Sequence, residues 1–106
     1  MEEGIDLNRE LIRNPAATFF GRVRGLSMND AGISEGDVLI IDKSLEPRDG
    51  SVAVCFVDGE FTVKRLKVEH NAVYLIPENK EFKPLKISEG SDFSVWGIVT
   101  YVIKKM

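Results

Sequence analysis

The sequence predicts an all-β domain, compact and mostly antiparallel, with one short N-terminal helix. Its strand-like runs are short and are separated by turn signals rich in Gly, Pro and Asp. The dipeptide Asp58-Gly59 is a strong signal for a two-residue hairpin, and only one segment carries the marks of a helix. A length of 106 residues fits one domain with a single core.

The one predicted helix lies near the N terminus. Asp6 is a candidate N-cap, Leu7 and Leu11 are one helical turn apart, and an Asn-Pro pair follows as a stop signal. So short a helix is stable only when it docks on the rest of the chain. We therefore divide the sequence into an N-terminal arm over residues 1–16 and a β-domain over residues 17–106.

The strands are predicted from alternating apolar residues or from continuous apolar runs bounded by turn signals. Because Asp58-Gly59 joins two of these runs, those two strands are expected to pair antiparallel. Residues 77–84 are predicted as a polar connection. The predicted strands are 17–24, 38–42, 51–57, 60–68, 72–76 and 93–103.

Composition excludes several classes of protein. With 43% hydrophobic and 29% charged residues and no biased tract, the chain is neither disordered nor fibrous. A net charge of −3, with both signs interspersed, argues against direct sequence-specific DNA binding, which needs a concentrated basic face. Since no long apolar span or secretory leader is visible, we expect a cytoplasmic protein without membrane contact.

Metal and thiol chemistry are not predicted. The single cysteine, Cys55, lies in a strand-like apolar run and is expected to be a buried structural thiol. The single histidine, His70, falls in a turn-like position and is expected to be solvated. One Cys and one His do not make a zinc site, so no metal and no cofactor is expected.

Ser27 is the first candidate for chemistry. It follows Gly25, which lets the backbone turn sharply, and it lies between the apolar Leu26 and Met28. Such a turn allows consecutive amides to point at a substrate carbonyl oxygen. The run is not a Gly-x-Ser-x-Gly nucleophile elbow, because Asn29 replaces the second glycine. A serine after a glycine is also common in ordinary turns, so both readings stay open.

Lys64 is the candidate general base. Side chains alternate between the faces of a strand, so Lys64 and Arg65 cannot both point to water. Partial burial lowers the pKa of a lysine and makes the neutral amine available to accept a hydroxyl proton. The alternative is an exposed edge lysine that discourages aggregation, and the strand by itself favours that alternative. Paired with Ser27, Lys64 would form a Ser/Lys dyad, a known variant of the serine nucleophile.

Four segments, in order, resemble the LexA/UmuD family of self-cleaving SOS-response peptidases. They are Gly25–Met28, Gly32–Leu39, Asp58–Leu66 and Leu75–Asn79. The resemblance extends from Ile5 to about Lys104 and includes the family's serine-to-lysine spacing. The runs Ile5–Asn8 and Asn14–Phe20 resemble the UmuD branch, whereas the apolar Leu26 before the serine is closer to the LexA version.

The resemblance implies a β-domain of the type found in the LexA C-terminal domain and in signal peptidases. Ser27 would attack a peptide bond in the protein's own N-terminal segment, with Lys64 as general base. By motif position, the backbone amides of Leu26 and Ser27 are the candidates for the oxyanion hole. The resemblance also implies that RecA on single-stranded DNA promotes cleavage. The processed form would then dimerise and join a UmuC-like polymerase in error-prone translesion synthesis.

The position of the scissile bond departs from the family pattern. The family cleaves an Ala-Gly or Cys-Gly bond upstream of the catalytic domain, whereas this chain begins a few residues before Ile5. Its one such pair, Ala31-Gly32, lies within the predicted core and is expected to be a structural turn. We therefore expect a processed or truncated form without a substrate segment in cis. The alternatives are the C-terminal domain of a LexA-type repressor and a non-catalytic β-module.

A homodimer is expected, and the apolar run Val99–Ile103 is a candidate edge for pairing with a second copy. A long interior strand would give the same pattern, so the sequence leaves both interpretations open.

Overall fold

A single seven-stranded antiparallel sheet forms the computed structural model, which describes residues 4–106. The order across the sheet is β1-β2-β7-β3-β4-β5-β6, and every neighbouring pair is antiparallel. The predicted fold class is therefore confirmed. The strands are β1 (Thr18–Arg22), β2 (Val38–Asp42), β3 (Val52–Val57), β4 (Glu60–Glu69), β5 (Ala72–Ile76), β6 (Leu85–Lys86) and β7 (Phe93–Ile103).

Strand bounds differ from the prediction at both ends of β1, which covers 18–22 instead of 17–24, and by one residue in β3 and in β4; one further strand, β6, was not predicted. β1 ends at Arg22 because Val23 leaves the ladder: its amide donates to the Asp37 carbonyl and its carbonyl accepts from the Gly36 amide, both at 2.9 Å. β6 was not predicted, since two exposed residues that pair with β5 inside a polar connection carry no periodic signal.

Both tight hairpins use residues with positive φ, as their two-residue turns require. Asp58 and Gly59 join β3 to β4 with φ of 45° and 91°, which confirms the predicted hairpin. His70 and Asn71 join β4 to β5 with φ of 49° and 63°. His70 is exposed at this turn, where it was expected.

The predicted helix is shorter than expected. It is α1 (Leu7–Leu11), and it is capped by Asp6, whose carboxylate accepts from the amides of Asn8 and Arg9 at 3.1 and 3.3 Å. None of its residues is buried, so neither packing nor propensity extends it further. The division into an arm and a β-domain stays a prediction, and residues 1–3 of the predicted arm lie outside the described residues. No helix within residues 4–106 is long and apolar enough to cross a membrane.

The core consists of two clusters separated by the sheet, as alternation along β3 dictates. Val54 packs in the first cluster, whereas its neighbours Ala53 and Cys55 are fully buried in the second. The first cluster also contains Val23, Met28, Ile33, Leu39 and Ile41; the second also contains Leu66, Leu75 and Ile98.

The last strand in the chain lies inside the sheet, between β2 and β3. β7 pairs with β3 through Phe93–Ile98 and with β2 through Ile98–Ile103. A Cβ on Gly97 would lie 2.6 Å from the Ile41 side chain, so glycine is required for this close approach. The candidate dimer segment Val99–Ile103 therefore pairs with β2 along one side, whereas the β3 ladder ends at Ile98. Dimerisation itself stays a prediction.

Candidate active site

Ser27 lies on a turn that begins just beyond the end of β1. Gly25 has φ of 89°, a conformation that a glycine adopts without strain. The Asn29 amide then donates to the Leu26 carbonyl at 3.2 Å and closes a turn with Ser27 in its centre. Met28 is buried in the first cluster and anchors the turn on the core. The hydroxyl of Ser27 is thus presented by a loop that Met28 anchors on the core.

Lys64 lies on β4, which pairs with β3 on one side and β5 on the other. It stands opposite Ala53, and the two therefore share the face of the sheet that carries the second cluster. From there the amine Nζ contacts Ser27 Oγ at 2.9 Å, Thr62 Oγ1 at 2.6 Å and the Val63 carbonyl at 3.2 Å. The exposed edge lysine that the strand alone favoured is wrong, because β4 is an interior strand.

Burial lowers the pKa of Lys64 below its ordinary value of 10.5, because desolvation disfavours the charged ammonium. Cys55, which lies nearby, acts weakly in the opposite direction. That opposing effect requires a thiolate, and burial raises the pKa of Cys55 to about 11, so the thiol is uncharged near neutral pH. Desolvation therefore dominates, and the pKa of Lys64 is lowered.

The three contacts of Lys64 match the needs of a general base. An ammonium has three hydrogens, and it can donate one each to Thr62, Val63 and Ser27. A neutral amine has two hydrogens, which the Thr62 hydroxyl and the Val63 carbonyl can accept. Its lone pair then faces the Ser27 hydroxyl. Loss of one proton thus converts the contact with Ser27 from a donated bond to an accepted one.

The amides of Leu26 and Ser27, predicted for the oxyanion hole, have no hydrogen-bond acceptor within the described part of the chain. Gly25, one residue earlier, donates instead to the Glu35 carboxylate at 3.3 Å. Amides without a partner at an exposed turn are available to a ligand oxygen.

A cleft of about 320 Å³ opens beside Ser27. One wall is the chain from Gly21 to Gly25, and the opposite wall is Phe61–Val63 at the start of β4. The floor is formed by apolar side chains of the first cluster. Lys64 does not line this cleft; it reaches the cleft through Ser27 and Thr62.

Two residues that the sequence reading gave no role hold the Ser27 turn from the opposite side. The Asn79 amide donates to the Leu26 carbonyl at 2.7 Å, and the Glu78 carbonyl accepts from the Asp30 amide at 2.6 Å. The Glu78 carboxylate pairs with Arg65 at 2.6 Å, next to Lys64. Both residues belong to a segment quoted for the family resemblance, which was the only sequence signal for them.

The two other residues considered for chemistry, Cys55 and His70, are not part of this site. Cys55 is completely buried, which confirms its expected place as an inert thiol. His70 lies at the β4–β5 turn. Within residues 4–106, no group of three or more His, Cys, Asp or Glu side chains is placed to hold a metal ion.

Fold and site together define a class of protein: an antiparallel β-domain in which a serine on a turn contacts a partly buried lysine beside a cleft. Comparisons with known proteins identify the family. A family model described as Peptidase S24-like matches residues 1–100. Protein ImpA of Escherichia coli and of Salmonella typhimurium is 40% identical over 105 residues, covering 98% of this chain and 70% of the relative. Protein SamA of Salmonella typhimurium strain LT2 is 41% identical over 104 residues, covering 98% and 71%.

This chain therefore belongs to the Peptidase S24-like family. The resemblance to LexA/UmuD proteins is confirmed, and the chain is a peptidase-family domain of the self-cleaving kind.

Proposed function

We propose that this chain is a Ser/Lys peptidase domain in which Ser27 is the nucleophile and Lys64 the general base. The observation that carries the proposal is the 2.9 Å contact between Ser27 Oγ and an amine with a lowered pKa. An alcohol needs an adjacent base to become a useful nucleophile. A partly desolvated lysine supplies that base without histidine, and the only histidine lies elsewhere.

Acylation follows from this geometry. The neutral amine of Lys64 takes the hydroxyl proton of Ser27 while Oγ attacks the carbonyl carbon of the scissile peptide bond. The amides of Leu26 and Ser27 donate to the oxyanion of the tetrahedral intermediate. Its collapse breaks the C–N bond, and the leaving amine takes the proton held by Lys64. An ester on Ser27 remains.

Deacylation repeats these roles with water. Lys64, neutral again, takes a proton from a water molecule that attacks the ester carbonyl. The second tetrahedral intermediate collapses with release of a carboxylic acid, and Ser27 Oγ recovers the proton from Lys64. Every proton is returned, so the site needs no cofactor in either step.

The cleft supports an extended peptide as substrate. It is lined by Gly21–Gly25 and Phe61–Val63 and has an apolar floor, which suits a segment with a small apolar side chain at the cut. Ala31-Gly32 is a poor candidate for that cut. Ala31 packs on the first cluster, and the Gly32 amide bonds to Asn29 at 3.0 Å within the loop that carries Ser27. We assign the pair a structural role and place the substrate in an N-terminal segment.

We further propose that the processed form is a homodimeric accessory subunit of an error-prone, UmuC-like translesion polymerase in the cytoplasm. RecA on single-stranded DNA would promote the cleavage that generates it. Support for these partners comes from the family resemblance.

The main alternative is the C-terminal domain of a LexA-type repressor, for which the apolar Leu26 before the serine is the favouring feature. The two differ in what precedes the β-domain in the natural gene product. A short arm supports the UmuD-like reading, whereas a helix-turn-helix supports the repressor.

The test is self-cleavage of the chain extended at its N terminus by a segment that contains an Ala-Gly bond. At alkaline pH we expect first-order cleavage at that bond, independent of protein concentration. Ser27→Ala and Lys64→Ala should each abolish it, while Ser94→Ala, at an exposed position of β7 away from the site, serves as the control. Cleavage that persists in both dyad variants would show that the two residues are incidental, and a parent that does not cleave itself would favour a non-catalytic module.

A further inference from the structure

We infer that Asn79 is a positioning residue, whose side-chain amide holds the Leu26–Ser27 peptide so that the Ser27 amide faces the reacting carbonyl. The inference rests on the proposed function and extends it to a residue outside the dyad. Asn79 follows β5 and is distant from Ser27 in sequence, yet its Nδ2 donates to the Leu26 carbonyl at 2.7 Å.

The geometry of the peptide unit links this contact to the oxyanion hole. A trans peptide is planar, and its C=O and N–H point in opposite directions. The Leu26 carbonyl and the Ser27 amide belong to one such unit. A donor that holds the carbonyl on the Asn79 side therefore directs the Ser27 N–H the other way, where it has no acceptor within residues 4–106.

The unit needs this restraint because little else fixes it. Among residues 4–106, the only other bond to the Leu26 carbonyl comes from the Asn29 amide, at the longer distance of 3.2 Å. Gly25 precedes the unit at φ of 89° and is a conformationally soft hinge. Leu26 itself is about half exposed and lacks the packing that would lock it. A rotation of the peptide would turn the Ser27 amide away from the substrate while leaving the hydroxyl near Lys64.

The orientation of the Asn79 amide is fixed by its second contact. Its Oδ1 accepts from the Glu81 amide at 3.0 Å, so this atom must be the oxygen, and the nitrogen must face Leu26. The Asn79 side chain thus bridges its own loop to the Ser27 turn.

The loop that carries Asn79 is in turn attached to β4. The Glu78 carboxylate pairs with Arg65, whose guanidinium also donates to the Gly50 carbonyl at 2.6 Å. Arg65 adjoins Lys64, so this ion pair joins the loop to the strand that carries the base. Because both side chains are partly exposed, the pair is a weak link, and the turn is held by the Asn79 side chain and the Glu78 backbone carbonyl.

The experiment measures the self-cleavage rate against pH for the extended chain described above, in four forms: the parent, Asn79→Asp, Asn79→Ala and Glu78→Gln. Asn79→Asp keeps the bond from Glu81, loses the donor to Leu26 and adds a negative charge. Asn79→Ala loses the donor without adding charge. Glu78→Gln loosens the same loop without touching the Leu26 peptide, and it is the matched control.

Both Asn79 variants should lower the plateau rate about 10- to 100-fold, somewhat less than removal of an oxyanion-hole donor. The midpoint of the pH profile, which reports Lys64, should stay that of the parent in Asn79→Ala. Glu78→Gln should stay within about threefold of the parent. Thermal unfolding of each variant shows that rates are compared on folded protein.

Rates within threefold of the parent in both Asn79 variants would overturn the inference. So would a fall in Asn79→Ala accompanied by a shifted pH midpoint, because that result places the damage at Lys64. These failures differ from failure of the proposed function, which appears as cleavage that survives Ser27→Ala in the same assay.

Discussion

The two halves of the candidate dyad are held in opposite ways. Lys64 belongs to an interior strand, and three contacts fix its amine. Ser27 belongs to an exposed turn with a glycine hinge, held by hydrogen bonds from a loop that follows β5. The base is therefore rigid through the sheet, whereas the nucleophile and its amides are placed by a few separate bonds.

This difference has a physical reason. Lowering the pKa of a lysine requires desolvation, which a sheet interior supplies through packing. An oxyanion hole requires unpaired amides, which a ladder of backbone hydrogen bonds cannot leave free. A strand suits the first requirement and a turn suits the second. Mutations around Lys64 and mutations in the Ser27 turn should accordingly impair the site in different ways.

The largest effect is expected at Lys64, the candidate base on β4. Lys64→Met should lower self-cleavage by about 10²- to 10⁴-fold, the usual contribution of a general base. In the parent, the rate should rise with pH as the ammonium loses its proton, with a midpoint below the ordinary 10.5 because burial lowers the pKa of Lys64. The measurement is the rate against pH for both proteins. A parent rate that is flat or falls with pH would contradict the role of a neutral amine.

The second-largest effect is expected when a buried side chain of the second cluster, which packs on the face of β4 that carries Lys64, is shortened. Leu75 on β5 is 1% exposed, and Leu75→Ala should lower the free energy of unfolding by about 2–5 kcal/mol. Val68→Ala, on the neighbouring strand at a position 47% exposed, is the control and should change it far less. Urea unfolding measures both. Equal losses would show that the second cluster does not support β4 as its packing indicates.

A smaller effect is expected at the hinge of the turn. Gly25→Ala places a side chain at φ of 89° and should cost about 1–3 kcal/mol of stability, with slower cleavage. A Cβ there would meet nothing within 4 Å, so the cost is conformational. Gly90→Ala has the same open space without the positive φ and should be nearly neutral. Thermal unfolding and cleavage rates compare the two, and identical behaviour would show that the hinge conformation is unimportant.

The smallest effect is expected at the ion pair between Glu78 and Arg65, which links the loop after β5 to β4. Glu78→Gln removes the charge that pairs with Arg65 and should cost less than about 1 kcal/mol, because both side chains are about one-third exposed. The loss should shrink further in high salt. Urea unfolding at low and high salt tests this, and a loss of several kcal/mol would make the pair a principal support of the turn.

The sequence identifies the parts that local patterns specify. β2, β5 and β7 have the predicted bounds, because their apolar residues form uninterrupted or alternating runs between turn signals. Alternation also placed Lys64 and Arg65 on opposite faces. It could not show that β4 is an interior strand, because neighbours in the sheet are set by topology, and the strand alone therefore favoured an exposed lysine.

The contact by which Asn79 holds the Ser27 turn could not be predicted from the sequence for a related reason. Asn79 and Leu26 are 53 positions apart, and an asparagine in a polar connection looks like any loop residue. β6 is only two residues long, too short for a period to show. The family resemblance paired Ser27 with Lys64 from the sequence alone, but it gave no role to the residues that hold the Ser27 turn.

The placement of β7 has a consequence for the order of events during synthesis. Within residues 4–106, the backbone ladders join the β1–β2 half of the sheet to the β3–β6 half only through β7, the last of these strands to be synthesised. Ser27 and Lys64 fall in different halves, so a growing chain contains both residues well before the strand that joins the halves. We therefore expect the two side chains to meet only after β7 has been added to the sheet.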